Sequence, residues 1–128
     1  MKIYATTQSD AEFLQSIKGK DLWIFCSVSD GVYGYETYGY LQVVDIYPTT
    51  YYIQDDYGRM QPKNDWICDC HFFRCEDGDA RMPTGLYSMK SRLNYTQSYY
   101  VNNISVVRPV EAMITEDLIM MYDEGIDQ

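Results

Sequence analysis

The sequence predicts a mainly β member of the α+β class: an antiparallel sheet or small barrel of about five to seven strands with one or two short helices. Three observations point there. Residues 21–54 (DLWIFCSVSDGVYGYETYGYLQVVDIYPTTYYIQ) concentrate β-branched and aromatic residues, the side chains that suit a pleated, half-buried surface. Turn-forming residues interrupt the apolar runs at short intervals. Helical periodicity is confined to one stretch near each end.

The chain is expected to open on a short strand at residues 2–6. Ser9 and Glu12 have the spacing of a capping box, with Phe13, Leu14 and Ile17 on one helical face and Gly19 as the stop. Leu22, Trp23, Ile24, Phe25, Cys26 and Val28 then read as a strand covered on both faces, with Ser27 and Ser29 turning one face to solvent at its end. After an Asp30-Gly31 turn, Leu41, Val43, Val44 and Ile46 make a second strand that Pro48 ends, because its ring nitrogen cannot donate to a ladder. Tyr51, Tyr52 and Ile53 start a third, closed by Asp55-Asp56-Tyr57-Gly58. Residues 59–65, with Pro62, read as a loop, and residues 66–74 (WICDCHFFR) as another strand. Turns are expected at residues 76–79 and 82–85, and residues 86–98 carry no decisive pattern. Residues 99–107 return to a strand, bent at Asn102-Asn103. Thr115 caps a last helix, with Glu116 and Asp117 favourable to its dipole, Leu118, Met121 and Tyr122 on one face and Gly125 at its end. No linker or repeat divides the 128 residues, so one domain is expected.

Charge excludes more than it identifies. The net charge of -9 opposes direct binding to a nucleic-acid backbone, which needs Lys and Arg to neutralise phosphates. It favours solubility and a partner with a basic surface, or simply makes an acidic protein. No apolar run reaches the length of a membrane span, and the lone Lys2 with no apolar segment after it is not a signal peptide. Four cysteines in such a chain are expected as reduced thiols in the cytosol.

Cys68, Cys70, His71 and Cys75 lie within eight residues and could hold zinc. In a strand, however, Cys68 and Cys70 share one face and His71 takes the other, and the second ligand pair of a structural zinc site is missing. Buried free thiols are the main expectation, zinc the lesser one, and no other cofactor is expected. His71 is the only histidine, and its neighbours Asp69 and Cys70 make no triad by adjacency. P-loop, dinucleotide and HExxH patterns are missing from the sequence. The chain is therefore expected not to be an enzyme.

Tyrosine is over-represented, at 14 residues. Tyr33, Tyr35, Tyr38 and Tyr40 are interleaved with glycines, which in a loop gives adaptable contact area at low entropic cost. The equal alternative is a long hairpin whose tyrosines cover the sheet edge. Residues 111–128 carry Glu116, Asp117, Asp123 and Glu124 among their acids and no Lys or Arg. Those four tyrosines and four acids form the candidate partner-binding set.

MKIYA at the start, GKDLW at residues 19–23 and RPVEAMITEDL at residues 108–118 together resemble a group of short, uncharacterised bacteriophage proteins, many of them from gut metagenomes. The resemblance covers about a quarter of the chain, by motifs that are structural and carry over no catalytic residue. It implies a phage accessory protein in the host cytoplasm, or a virion component. Joined to the acidity, the leading expectation is a non-enzymatic inhibitor of a host defence complex (anti-CRISPR-like or another anti-defence protein) that binds a basic host or phage protein. A virion assembly component is the second expectation. A third is a protein sequestering a nucleotide signal, for which Arg81, Arg92 and Arg108 are the available cations.

Overall fold

The structure, a computed structural model, describes residues 7–29, 34–75, 95–106 and 111–127. The expected strand at residues 2–6, the turns at 30–31, 76–79 and 82–85, Tyr33, Arg81, Arg92 and Arg108 lie outside them. In chain order the elements are α1 (Thr7–Ser16), β1 (Trp23–Ser29), β2 (Glu36–Gln54), β3 (Met60–Arg74), β4 (Gln97–Tyr100), a 3-10 turn (Val101–Asn103), β5 (Ile104–Val106), β6 (Ala112–Met113) and α2 (Thr115–Asp127). The fold is α+β and mainly β, an antiparallel sheet with two short helices, as the composition of its segments predicts.

Pairing runs β4-β3-β2-β1-β5, with β6 on the same edge of β1 as β5. The two outer strands β4 and β5 are nevertheless joined only by Val101–Asn103. Four steps of extended chain from Tyr100 to Ile104 reach at most about 14 Å. In a flat sheet, four strand spacings would hold β4 and β5 about 19 Å apart. The sheet must therefore curl, bringing its edges together without pairing them. It is an open, barrel-like sheet.

Curling gives the sheet an inside and an outside, and both are packed. Alternation along β1 sends Ile24, Cys26 and Val28 inward, where they meet Leu41, Val43, Cys68, Cys70 and Phe72, with Ala11 and Leu14 of α1 and Ile17 just after it. Trp23 and Phe25 face outward into a second core with Tyr40, Phe73 and Leu118 of α2. This is the strand covered on both faces that the sequence predicts. Ser27 is buried too, so β1 does not open to solvent before Ser29.

Two expected strand ends are overturned. β2 runs unbroken for 19 residues through Pro48, absorbing the expected third strand, and β3 begins at Met60, so residues 60–65 are strand and not loop. Pairing parity explains both. Pro48 faces Trp66 and Pro62 faces Tyr52, and these pairs are an even number of positions apart along the ladder. In an antiparallel pair, alternate residues point their N–H groups away from the partner strand. Both prolines occupy such positions, so neither costs a ladder bond and each presents its ring to an open edge.

Smaller differences have local causes. The first helix starts at Thr7, which puts Ser9 inside it rather than at a capping box. Gly19 ends that segment as expected, with φ +72, and donates its N–H to Val43 O at 3.1 Å. The bend at Asn102-Asn103 is the 3-10 turn, and Asp65 Oδ1 accepts from Asn102 N at 3.3 Å. The last helix continues past Gly125 to Asp127. Its N-terminus is capped from outside: the Thr115 N–H donates to Asp21 Oδ1 at 3.2 Å, and the Thr115 hydroxyl also donates to Asp21. Trp23 Nε1 donates to Thr115 Oγ1 at 2.8 Å, and β6 pairs with Trp23 and Ile24. Residues 21–24 and residues 112–115 thus clasp one another.

Candidate interaction surface

The cysteine-rich strand does not assemble a metal centre. Cys68 and Cys70 point inward and join Cys26, whereas Cys75 belongs to the outer core, so strand alternation divides the expected zinc quartet. Among the described residues, no three His, Cys, Asp or Glu side chains are placed to hold a metal ion. Burial pushes the Cys26 thiol well above its ordinary range. A hydrogen bond with Cys68 and then burial do the same for Cys70. Both therefore stay protonated, which makes them poor nucleophiles. His71 lies with Nδ1 2.7 Å from Tyr95 O; a carbonyl only accepts, so Nδ1 carries the proton.

The expected partner-binding residues are scattered. Tyr38 and Tyr40 belong to β2, not to a loop: Tyr38 stacks on Phe25 at 5.9 Å, and Tyr40, only 3 % exposed, meets the same ring edge-on at 5.3 Å. Tyr40 is core, not contact surface. Tyr35 is exposed just before β2. Glu116 and Asp117 are exposed in the first turn of α2, while the side chains of Asp123 and Glu124 lie outside those described.

Besides Tyr35 and Tyr95, exposed tyrosines gather on an arm whose residues read as strand and loop in the sequence. β1 covers β2 only from Glu36 to Leu41, and β4 covers β3 only from Ile67 to Cys70. Beyond those limits β2 and β3 continue as a two-stranded ribbon to the turn at residues 55–59. Tyr52 is 61 % exposed, Tyr57 88 % and Met60 60 %, with Tyr47 and Ile53 also exposed. Register sets Tyr52, Pro62 and Met60 on one face and Tyr47, Tyr51 and Ile53 on the other. At the root, Tyr51 and Tyr100 meet at 4.9 Å between ring centroids.

The tip is built around one carboxylate. Asp55 Oδ1 accepts from the N–H groups of Tyr57 at 2.9 Å and Arg59 at 2.8 Å, and Oδ2 accepts from Gln61 Nε2 at 3.1 Å. Gly58 takes φ +79, which closes the turn without a Cβ clash. These hydrogen bonds, led by that of Arg59, hold the Asp55 carboxyl below its ordinary value. At the root, burial and then the Asp69 charge raise the Tyr47 phenol above its ordinary value, so it stays a neutral donor.

Comparison adds no assignment: no protein-family model, no curated protein and no solved structure matches this chain. No helix among the described residues is long and apolar enough to cross a membrane.

Proposed function

We propose that this is a non-catalytic binding protein that engages a partner protein through the projecting β2–β3 arm. The observation that carries the reading is the arm itself, a ribbon with large tyrosine and methionine side chains exposed and residues 52–54 and 60–64 exposed throughout. Isolated two-stranded ribbons are marginal in water, so ordering such a segment has to be offset by something it does. Tyr and Met are side chains enriched at contact surfaces, combining large area with adaptability. The open edges favour side-chain contact over strand addition, because Pro48 and Pro62 interrupt the donors a guest strand would need.

The overall charge of -9 supports a basic partner. The phage resemblance sharpens this to an accessory protein inhibiting a host defence complex in the host cytoplasm. The test is capture from a lysate of phage-infected bacteria, with the wild-type chain beside a Tyr52→Ser, Tyr57→Ser, Met60→Ser variant. The wild type should retain a host partner that the folded variant loses, and binding should weaken as salt rises. Undiminished capture by the variant would remove the arm from the mechanism. Recovery of phage structural proteins instead would move the reading to virion assembly.

A further inference from the structure

The curl of the sheet leaves a mouth where β1 and β3 end and β2 and β4 begin. A cleft of about 390 Å³ opens there, at the other end of the interior core from the Val43 carbonyl that anchors the exit from α1. Barrel mouths of this size, apolar at the base with a few convergent polar groups, are favoured positions for small-ligand sites. The base is aromatic: Phe72 and Tyr99 meet edge-to-face at 6.0 Å, on top of the interior core. Gly39 makes room for that base, since a Cβ there would lie 2.6 Å from Phe72 Cζ. Tyr35 supplies a further ring, and Thr37 and Gln97 line the cleft with hydrogen-bonding groups. The Tyr99 hydroxyl donates to Gln97 Oε1, which orients the carboxamide. Arg74 brings a permanent cation with planar, multi-donor geometry to the same wall.

We propose that this mouth is a binding site for a small planar molecule carrying an anionic group, the ring lying against Phe72, Tyr99 and Tyr35 and the anion meeting Arg74. Nucleotides and aromatic carboxylates share that chemistry. The acidic charge of the whole chain does not forbid it, because charges beyond about 8 Å are screened at physiological salt and the guanidinium lies within the cleft wall. The site is distinct from the arm and stands or falls separately from the arm's partner.

The test is NMR titration of the full-length, isotopically labelled chain with four probes in parallel: adenosine monophosphate, 4-hydroxybenzoate, adenosine and inorganic phosphate. Saturable shifts at the Thr37, Arg74 and Gln97 signals are expected with adenosine monophosphate or 4-hydroxybenzoate, and whichever binds more tightly identifies the source. Adenosine and inorganic phosphate, each with half of the chemistry, should bind at least about tenfold more weakly. Arg74→Gln, at an exposed position, should weaken the better probe by about tenfold or more, the loss of a charge-assisted hydrogen bond. Thr37→Val is a second variant, expected to weaken it less. The proposal fails if neither anionic ring compound shifts the mouth, if adenosine or inorganic phosphate binds as well, or if Arg74→Gln binds unchanged.

Discussion

The two halves of the β2–β3 hairpin share one antiparallel ladder, shifted by a residue where they meet, and almost nothing else. In the inner half, Tyr40, Leu41 and Val43 on β2 and Cys68, Cys70, Phe72 and Phe73 on β3 are buried in one or other core. In the outer half, residues 52–54 and 60–64 are all exposed. The inner half is held by apolar burial on two faces; the outer half is held by its ladder, by the Asp55 turn and by cross-strand pairs such as Thr50 Oγ1 to Asn64 Oδ1 at 3.1 Å. Continuity of a strand therefore says little about how strongly each part of it is held. Global stability resides in the body, whereas the arm can open on its own, as local unfolding units do.

The largest effect expected from that contrast comes from Trp23. Its side chain is fully buried in the outer core, and its indole N–H ties β1 to Thr115 at the start of α2. Trp23→Ala should cost roughly 3–5 kcal/mol, from lost burial, the cavity left behind and an unpaired clasp. Urea unfolding followed by circular dichroism measures it. Tyr57→Ala at the arm tip, under the same protocol, should stay within about 0.5 kcal/mol of wild type. Comparable losses at the two positions would mean that the arm contributes to the core after all.

A smaller and local effect is expected at Asp55. Asp55→Ala removes the acceptor of three hydrogen bonds at the tip. Amide exchange should accelerate at the ladder positions of residues 50–54 and 60–64, and remain unchanged at Leu41 and Cys70. Acid should imitate the substitution. The folded carboxyl titrates below its ordinary value of 3.8, so its contribution is complete above that value and is lost as pH falls through the lower, folded one. Acceleration spreading equally into the inner half would show one cooperative unit and erase the distinction.

The contrast also marks what the sequence could reveal. The fold class, the two helices, the doubly covered β1 and the 55–58 turn are local patterns of apolar period and turn chemistry, and those are written residue by residue. Pro48 and Pro62 misled because a proline's effect depends on which side of the ladder its nitrogen faces, a fact of pairing. The glycines flanking Tyr38 and Tyr40 suit a flexible loop as well as a hairpin edge, so the sequence leaves both readings open. Gly39 serves packing instead: a Cβ there would lie 2.5 Å from Phe73 O. The curl entered only as the barrel alternative, since it follows from β4 and β5 being sequence neighbours at opposite ends of the pairing order. Not legible at all were the mouth and the gathering of Arg74 and Tyr99 in its lining.

The smallest effect is expected where the two halves meet. An extra residue, Val44, bulges β2 between Val43 and Asp45, and the register sets Asp45 directly opposite Asp69, a like-charge pair. Both acids have other partners: Lys18 Nζ lies 2.8 Å from Asp45 Oδ1, and Ser98 Oγ donates to Asp69 Oδ1 at 2.6 Å. The Lys18 hydrogen bond, and after it the N–H of Ile46, lowers the Asp45 carboxyl below 3.8. Its contribution is present above that value and disappears as pH falls through the depressed one. Lys18→Ala should therefore lower the unfolding midpoint slightly at neutral pH, with less effect in high salt and none well below 3.8, because the pair is half-exposed and solvent screens it. A pH-independent loss would assign Lys18 to packing of its stem against the root of the arm, and the junction would then be held by apolar contact and not by charge.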